Sequence, residues 1–126
     1  MFEINAMSRS PVYEQLIEQV ERYILLGLLR EGDQLPSVRA LSGELSINPN
    51  TIQKSYGELD AKGILCSVPG RGCFVAEGAL ACIRGRRLGE QGAFRRLVRE
   101  LKAAGITAEE LTAALAEEYH EKGKEA

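Results

Sequence analysis

Asn48, Asn50, Thr51, Gln53 and Lys54 crowd into one short stretch of this chain. Their chemistry is specific. Asn and Gln carry a hydrogen-bond donor beside an acceptor, the pair needed to grip the major-groove edge of adenine, and Lys adds a charge suited to phosphate. Two other sites carry related chemistry. Arg39 stands two residues after Ser37, and a guanidinium can clamp a phosphate through two parallel hydrogen bonds. Arg71 lies between Gly70 and Gly72, where glycine permits close backbone approach and arginine suits a narrow minor groove. Each signal has a plainer counterpart: a well-capped surface helix carries the same polar turn, Arg39 suits a surface ion pair with Glu44 or Glu58, and Arg71 suits a solvated hairpin tip.

The surrounding sequence supplies elements able to present these groups. Tyr13, Leu16, Ile17, Val20, Ile24 and Leu28 recur at steps of three and four, which predicts an amphipathic first helix with Pro11 at its first position. Gly27 and Gly32 loosen its end. Ser37 is a predicted N-cap for a second helix over 37–45, with Val38, Leu41 and Leu45 facing inward. Asn48 is a predicted N-cap for a third, with Pro49 in its first turn. Ile52, Tyr56 and Leu59 form that helix's buried stripe, which turns Asn50, Thr51, Gln53 and Lys54 elsewhere. Ile64–Val68 and Cys73–Ala76 read as short strands around the turn Pro69-Gly70-Arg71-Gly72. Two neighbouring helices followed by a two-stranded ribbon make a winged helix-turn-helix.

Past Val75 the character changes. Three glycines fall between 85 and 92, and a helical stripe follows at Phe94, Leu97, Val98 and Leu101. Thr107-Ala108-Glu109-Glu110 is a capping box opening a last helix with Leu111, Ala114, Leu115 and Tyr119 on one side, and a disordered end is expected over 121–126. Two such helices cannot bury their own apolar faces and need a partner. The expected fold class is therefore mainly α with a small β-ribbon: a winged helix-turn-helix over 1–76, then a two-helix dimerisation segment over 77–126 built on Phe94, Leu97, Val98, Leu101, Leu111, Leu115 and Tyr119.

Bulk properties narrow the function. The 126 residues, 44% hydrophobic, suffice for one small domain with an appendage. No apolar run approaches the roughly 18 residues of a membrane span, and no signal-peptide pattern opens the chain, so a cytoplasmic location is expected. Net charge is −2, and residues 1–76 hold 7 Lys/Arg against 9 Asp/Glu. An acidic reading head lowers non-specific affinity and concentrates binding in a few well-placed groups. Cys66, Cys73 and Cys82 fit neither a zinc motif nor a disulfide framework and read as buried reduced thiols. His120, the one histidine, lies among Glu117, Glu118 and Glu121 on a solvated face. No catalytic spacing, phosphate loop, metal site or cofactor motif is present, so no enzyme is expected. Arg84, Arg86, Arg87, Arg95, Arg96 and Arg99 read as a solvated basic face.

As a set, Pro11-Val12-Tyr13 with Gln15-Leu16, Leu35-Pro36-Ser37-Val38-Arg39-Ala40-Leu41, Asn50-Thr51-Ile52 and Pro69-Gly70-Arg71-Gly72-Cys73-Phe74-Val75 strongly resemble the GntR family of bacterial transcription regulators. Asn48-Pro49-Asn50-Thr51 and the short helical tail resemble its YtrA-type subfamily, in which the small C-terminal part dimerises. The resemblance implies a DNA-binding role for Arg39, Thr51 and Gly72, and repression of the protein's own operon, often one encoding an ABC transporter. Other branches carry arginines in the third helix where this chain has Pro49 and Gln53, so an arginine-based reading of bases does not carry over. The resulting expectation is a homodimer on palindromic double-stranded DNA, using Ser37, Arg39, Asn48, Asn50, Thr51, Gln53, Lys54, Arg71 and Gly72. A ligand- or redox-gated sensor and a winged-helix protein–protein adaptor remain as alternatives, with any small-molecule effector unknown.

Overall fold

Pro11 sets where the first helix begins. Its φ of −56° and ψ of 150° are extended, and the chain turns helical one residue later as α1 (Val12–Leu25). The proline thus precedes the first turn rather than occupying it. The computed structural model describes residues 2–125, with side chains for residues 2–120. Leu16, Ile17, Val20 and Ile24 are buried as their periodicity predicts, but Leu28 is 61% exposed while Leu29 is 5% exposed. The cause is local. Gly27 adopts φ 79°, its N–H donates to the Ile24 carbonyl at 3.2 Å, and the Leu28 N–H donates to Tyr23 at 2.9 Å. That pair of bonds is a Schellman turn, which ends the helix and takes the following residues off its period.

Both short helices start where their caps predict. The Ser37 hydroxyl accepts from the Ala40 N–H at 3.0 Å at the start of α2 (Val38–Leu45). The Asn48 side chain accepts from the Asn50 N–H at 2.8 Å, opening α3 (Pro49–Ala61). Helix α3 packs on both α1 and α2 through buried Ile52, Tyr56 and Leu59. Ser55, fully buried on the same face, donates to the Tyr13 carbonyl at 2.9 Å and fixes α3 against the first turn of α1.

The ribbon comprises β1 (Leu65–Val68) and β2 (Gly72–Val75), antiparallel with Leu65 opposite Val75 and Val68 opposite Gly72. A third backbone segment lies along the free edge of β2. Gln34 bridges Phe74, the Leu35 N–H donates to Cys73 at 2.8 Å, and the Val75 N–H donates to Asp33 at 2.8 Å.

The ten-residue helix α4 (Ala79–Leu88) lies in a stretch for which the sequence predicted no element. Ala79 and Ile83 are fully buried with the core of the helix-turn-helix, and that packing outweighs the cost of roughly 1 kcal/mol for one helical glycine at Gly85. The first compact unit accordingly runs to Arg86, past the change of character at Ala76. Arg86 also leaves the expected solvated basic face: its guanidinium donates to the carboxylate of Glu21, a residue only 5% exposed. At the other end Phe2 is buried and stacks on Tyr23, ring centroids 5.3 Å apart. The Gln15 and Gln19 side chains each bond both the N–H and the carbonyl of one residue in the N-terminal segment, Asn5 and Glu3 respectively.

The second unit, beginning at Arg87, holds α5 (Gln91–Ala103) and α6 (Ala108–Glu125). The capping box is formed as predicted: the Thr107 N–H donates to the Glu110 carboxylate at 2.9 Å, and the Glu110 N–H donates to the Thr107 hydroxyl at 3.2 Å. The disordered end expected over 121–126 lies outside the residues whose side chains are described. Val98, Leu101 and Leu111 are half-buried, whereas Phe94, Leu97, Leu115 and Tyr119 are 60, 52, 53 and 74% exposed.

Candidate nucleic-acid interface

Burial of Ile52, Ser55, Tyr56 and Leu59 decides which way the rest of α3 points. At 3.6 residues per turn, Asn50, Gln53, Lys54 and Gly57 fall on the opposite side, and all four are exposed. Thr51 sits at the boundary and is half-buried. A Cβ at Gly57 would meet nothing within 4 Å, so that face is bare in its middle and admits a close surface.

The structure brings four of the expected residues around one cleft of about 530 Å³. Ser37 borders it from the start of α2, Gln53 from α3, and Arg71 and Gly72 from the ribbon tip. The N-termini of α2 and α3 carry partial positive charge suited to phosphate. Arg39, Asn48, Asn50, Thr51 and Lys54 do not line this cleft. Asn48 and Ser37 spend a side-chain oxygen on capping, which makes them organisers of their helix starts as well as surface groups. The Lys54 ammonium sits 3.8 Å from the Tyr13 ring centroid, a cation–π contact that holds the charge beside the start of α1. Arg39 and Arg71 are exposed.

Two buried-side groups shape the floor. The Tyr56 hydroxyl donates to the Pro36 carbonyl at 2.8 Å, tying the entry of α2 to α3, and burial pushes its pKa well above the usual tyrosine value. Burial likewise pushes the Cys73 thiol up, with Asp60 and Cys66 adding to the rise and a hydrogen bond from Ser67 opposing it. Cys66 is exposed, against its expected burial, because its strand's outer face is uncovered. Among the described residues no three His, Cys, Asp or Glu side chains gather as a metal site requires, and no helix is long and apolar enough to cross a membrane.

One residue at the site escaped the sequence entirely. The Gln34 amide donates to the Arg71 carbonyl at 3.0 Å, and a Cβ on Gly72 would come within 2.6 Å of its nitrogen. Gln34 has no motif, cap or periodic position, and its partner is 37 residues away. Only the folded ribbon reveals it.

A polar helix face, a second helix start and a glycine-flanked arginine around one cleft define a winged helix-turn-helix DNA-binding regulator. Residues 12–75 match the family of bacterial regulatory proteins named gntR. The chain is 36% identical over 112 residues to the helix-turn-helix transcriptional repressor YtrA of Bacillus subtilis, spanning 88% of this chain and 86% of that one. A GntR family transcriptional regulator from Listeria monocytogenes superposes with a TM-score of 0.71 at 28% identity, over 87% of this chain and 96% of that one. The DNA-binding domain of AraR in complex with an operator superposes with a TM-score of 0.52 at 31% identity, over 60% of this chain and 95% of that one. The chain belongs to the GntR family and is a DNA-binding transcription regulator, not an enzyme.

Proposed function

We propose that the protein is a homodimeric repressor acting on a palindromic operator in the promoter of its own operon, one encoding an ABC transporter. In this reading each subunit lays α3 in a major groove, with Asn50 and Gln53 on base edges and Thr51 and Lys54 beside them. Arg39 and the start of α2 meet the sugar–phosphate backbone, and Arg71 and Gly72 enter the flanking minor groove. The observation that carries the reading is the single cleft shared by Ser37, Gln53, Arg71 and Gly72. Repression is favoured by the likeness to YtrA of Bacillus subtilis, which is named a repressor. The need to reach chromosomal DNA supports a cytoplasmic location.

Dimerisation is assigned to the second unit. Phe94, Leu97, Val98, Leu101, Leu111 and Leu115 line one apolar groove between α5 and α6, and Tyr119 continues α6 beyond it. A second copy on this groove covers the stripe across a two-fold axis and sets two heads about one helical turn apart. Burial raises the pKa of the Cys73 thiol, which disfavours redox gating at that residue.

The test is binding to the duplex that the wild-type chain enriches from a randomised pool. Asn50→Ala or Gln53→Ala costs about 1–3 kcal/mol on that duplex and less on random DNA. Arg39→Ala weakens both and lowers the salt slope by about one unit. Equal losses on both DNAs for Asn50→Ala and Gln53→Ala would move those residues to the phosphate backbone.

A further inference from the structure

The tip of the ribbon is held from outside the hairpin. On one side β2 pairs with β1 as far as Gly72, and the Arg71 N–H closes the turn onto Val68 at 2.9 Å. On the other side residues 33–35 pair with Cys73 and Val75. An antiparallel ladder bonds alternate residues, so the rung after Leu35 N–H to Cys73 carbonyl is a donor from position 37 to the carbonyl of Arg71. No backbone bond forms from Ser37 to the Arg71 carbonyl; Ser37 instead opens α2 as its N-cap. The Gln34 side-chain amide supplies the donor, at 3.0 Å. The fit is close on the tip's side: Gly72 is at φ 121°, a conformation L side chains rarely adopt, and any Cβ there would strike the Gln34 nitrogen.

We propose that Gln34 is a positioning residue for DNA recognition: its amide completes the sheet edge and fixes the backbone from which Arg71 is presented. The inference rests on the reading of Arg71 as a minor-groove contact. A tip with only its turn bond is free to swing on a fast timescale, and a guanidinium on it must be ordered at the moment of binding. With the Arg71 carbonyl held, that ordering is already in place. Gln34 itself touches no DNA in this account, and its effect passes through Arg71.

The experiment compares full-length wild type, Gln34→Met (same length, no donor), Arg71→Ala and the double variant. Binding is measured on the enriched duplex with A·T-rich and with G·C-rich flanks, and amide hydrogen exchange is measured at Arg71. Gln34→Met should speed exchange of the Arg71 amide on the order of three- to tenfold, the weight of one exposed hydrogen bond. It should lower the preference for A·T-rich flanks as Arg71→Ala does, while the double variant binds no worse than Arg71→Ala alone. Gln34→Asn, too short to reach the carbonyl, should repeat both effects and stands in should the Met variant fail to fold. Unchanged exchange at Arg71 overturns the positioning role whatever the binding data show, and so do binding losses that add fully in the double variant. Faster exchange together with an Arg71→Ala variant that keeps its flank preference leaves the restraint standing and rejects the minor-groove reading of Arg71.

Discussion

The two units of this chain solve the problem of an apolar surface in opposite ways. In the first, up to Arg86, helix starts, ribbon and α4 close around a core in which Leu16, Val20, Ile52, Leu59 and Ile64 are fully buried. Polar groups are left outside at defined places, and those places carry the proposed DNA contacts. In the second, α5 and α6 leave Phe94, Leu97, Leu115 and Tyr119 more than half exposed. Exposed apolar residues that line one continuous groove signal a missing partner more than a badly made core. The same residue type therefore has different meanings in the two units: a leucine holds the fold together in one, and in the other it stands exposed, where the proposed dimer would cover it.

That contrast is open to direct attack. The largest effect is expected in the closed core: Leu59→Ala should lower unfolding free energy by about 2–5 kcal/mol in a denaturant titration, with DNA binding lost only as the fold is lost. Leu97→Glu should leave the far-UV spectrum and melting of the head intact yet weaken self-association on the order of a hundredfold, about 3 kcal/mol, in sedimentation. A wild-type chain that sediments as a monomer at micromolar concentration would break the comparison, because the groove would then face only water.

Two smaller changes sharpen it within the first unit. Arg86→Ala strands the buried Glu21 carboxylate and should cost about 1–2 kcal/mol of thermal stability, discounted because the arginine is itself partly in solvent; an unchanged melting point would show that α4 is held by Ala79 and Ile83 alone. Tyr56→Phe removes the hydrogen bond to the Pro36 carbonyl and should cost about 1 kcal/mol. Because burial raises the Tyr56 pKa, the hydroxyl's contribution is complete below the ordinary tyrosine pKa and fades as pH rises beyond it. The difference in stability between wild type and the Phe variant should therefore shrink in strongly alkaline solution.

What could be read from the sequence were the features governed by a few neighbouring residues. Ser37 and Asn48 cap helices because a short oxygen-bearing side chain satisfies an N–H within the next turn, and Thr107 with Glu110 does so reciprocally. Ile52, Tyr56 and Leu59 turn inward because helical spacing puts them on one face, which leaves Asn50 and Gln53 outward. The glycine-flanked Arg71 marks a tip because the turn needs left-handed backbone there, as at Gly70 with φ 78°. Tertiary structure alone decided the rest. Core packing made a helix of the glycine-bearing stretch 79–88. Glu21 found Arg86 across 65 residues, and Gln34 found the Arg71 carbonyl across 37. Caps and periods rest on interactions within one or two turns, and residue types at fixed offsets encode them. A hydrogen bond between distant segments depends on where the whole backbone places two groups, and no local pattern of residues records that.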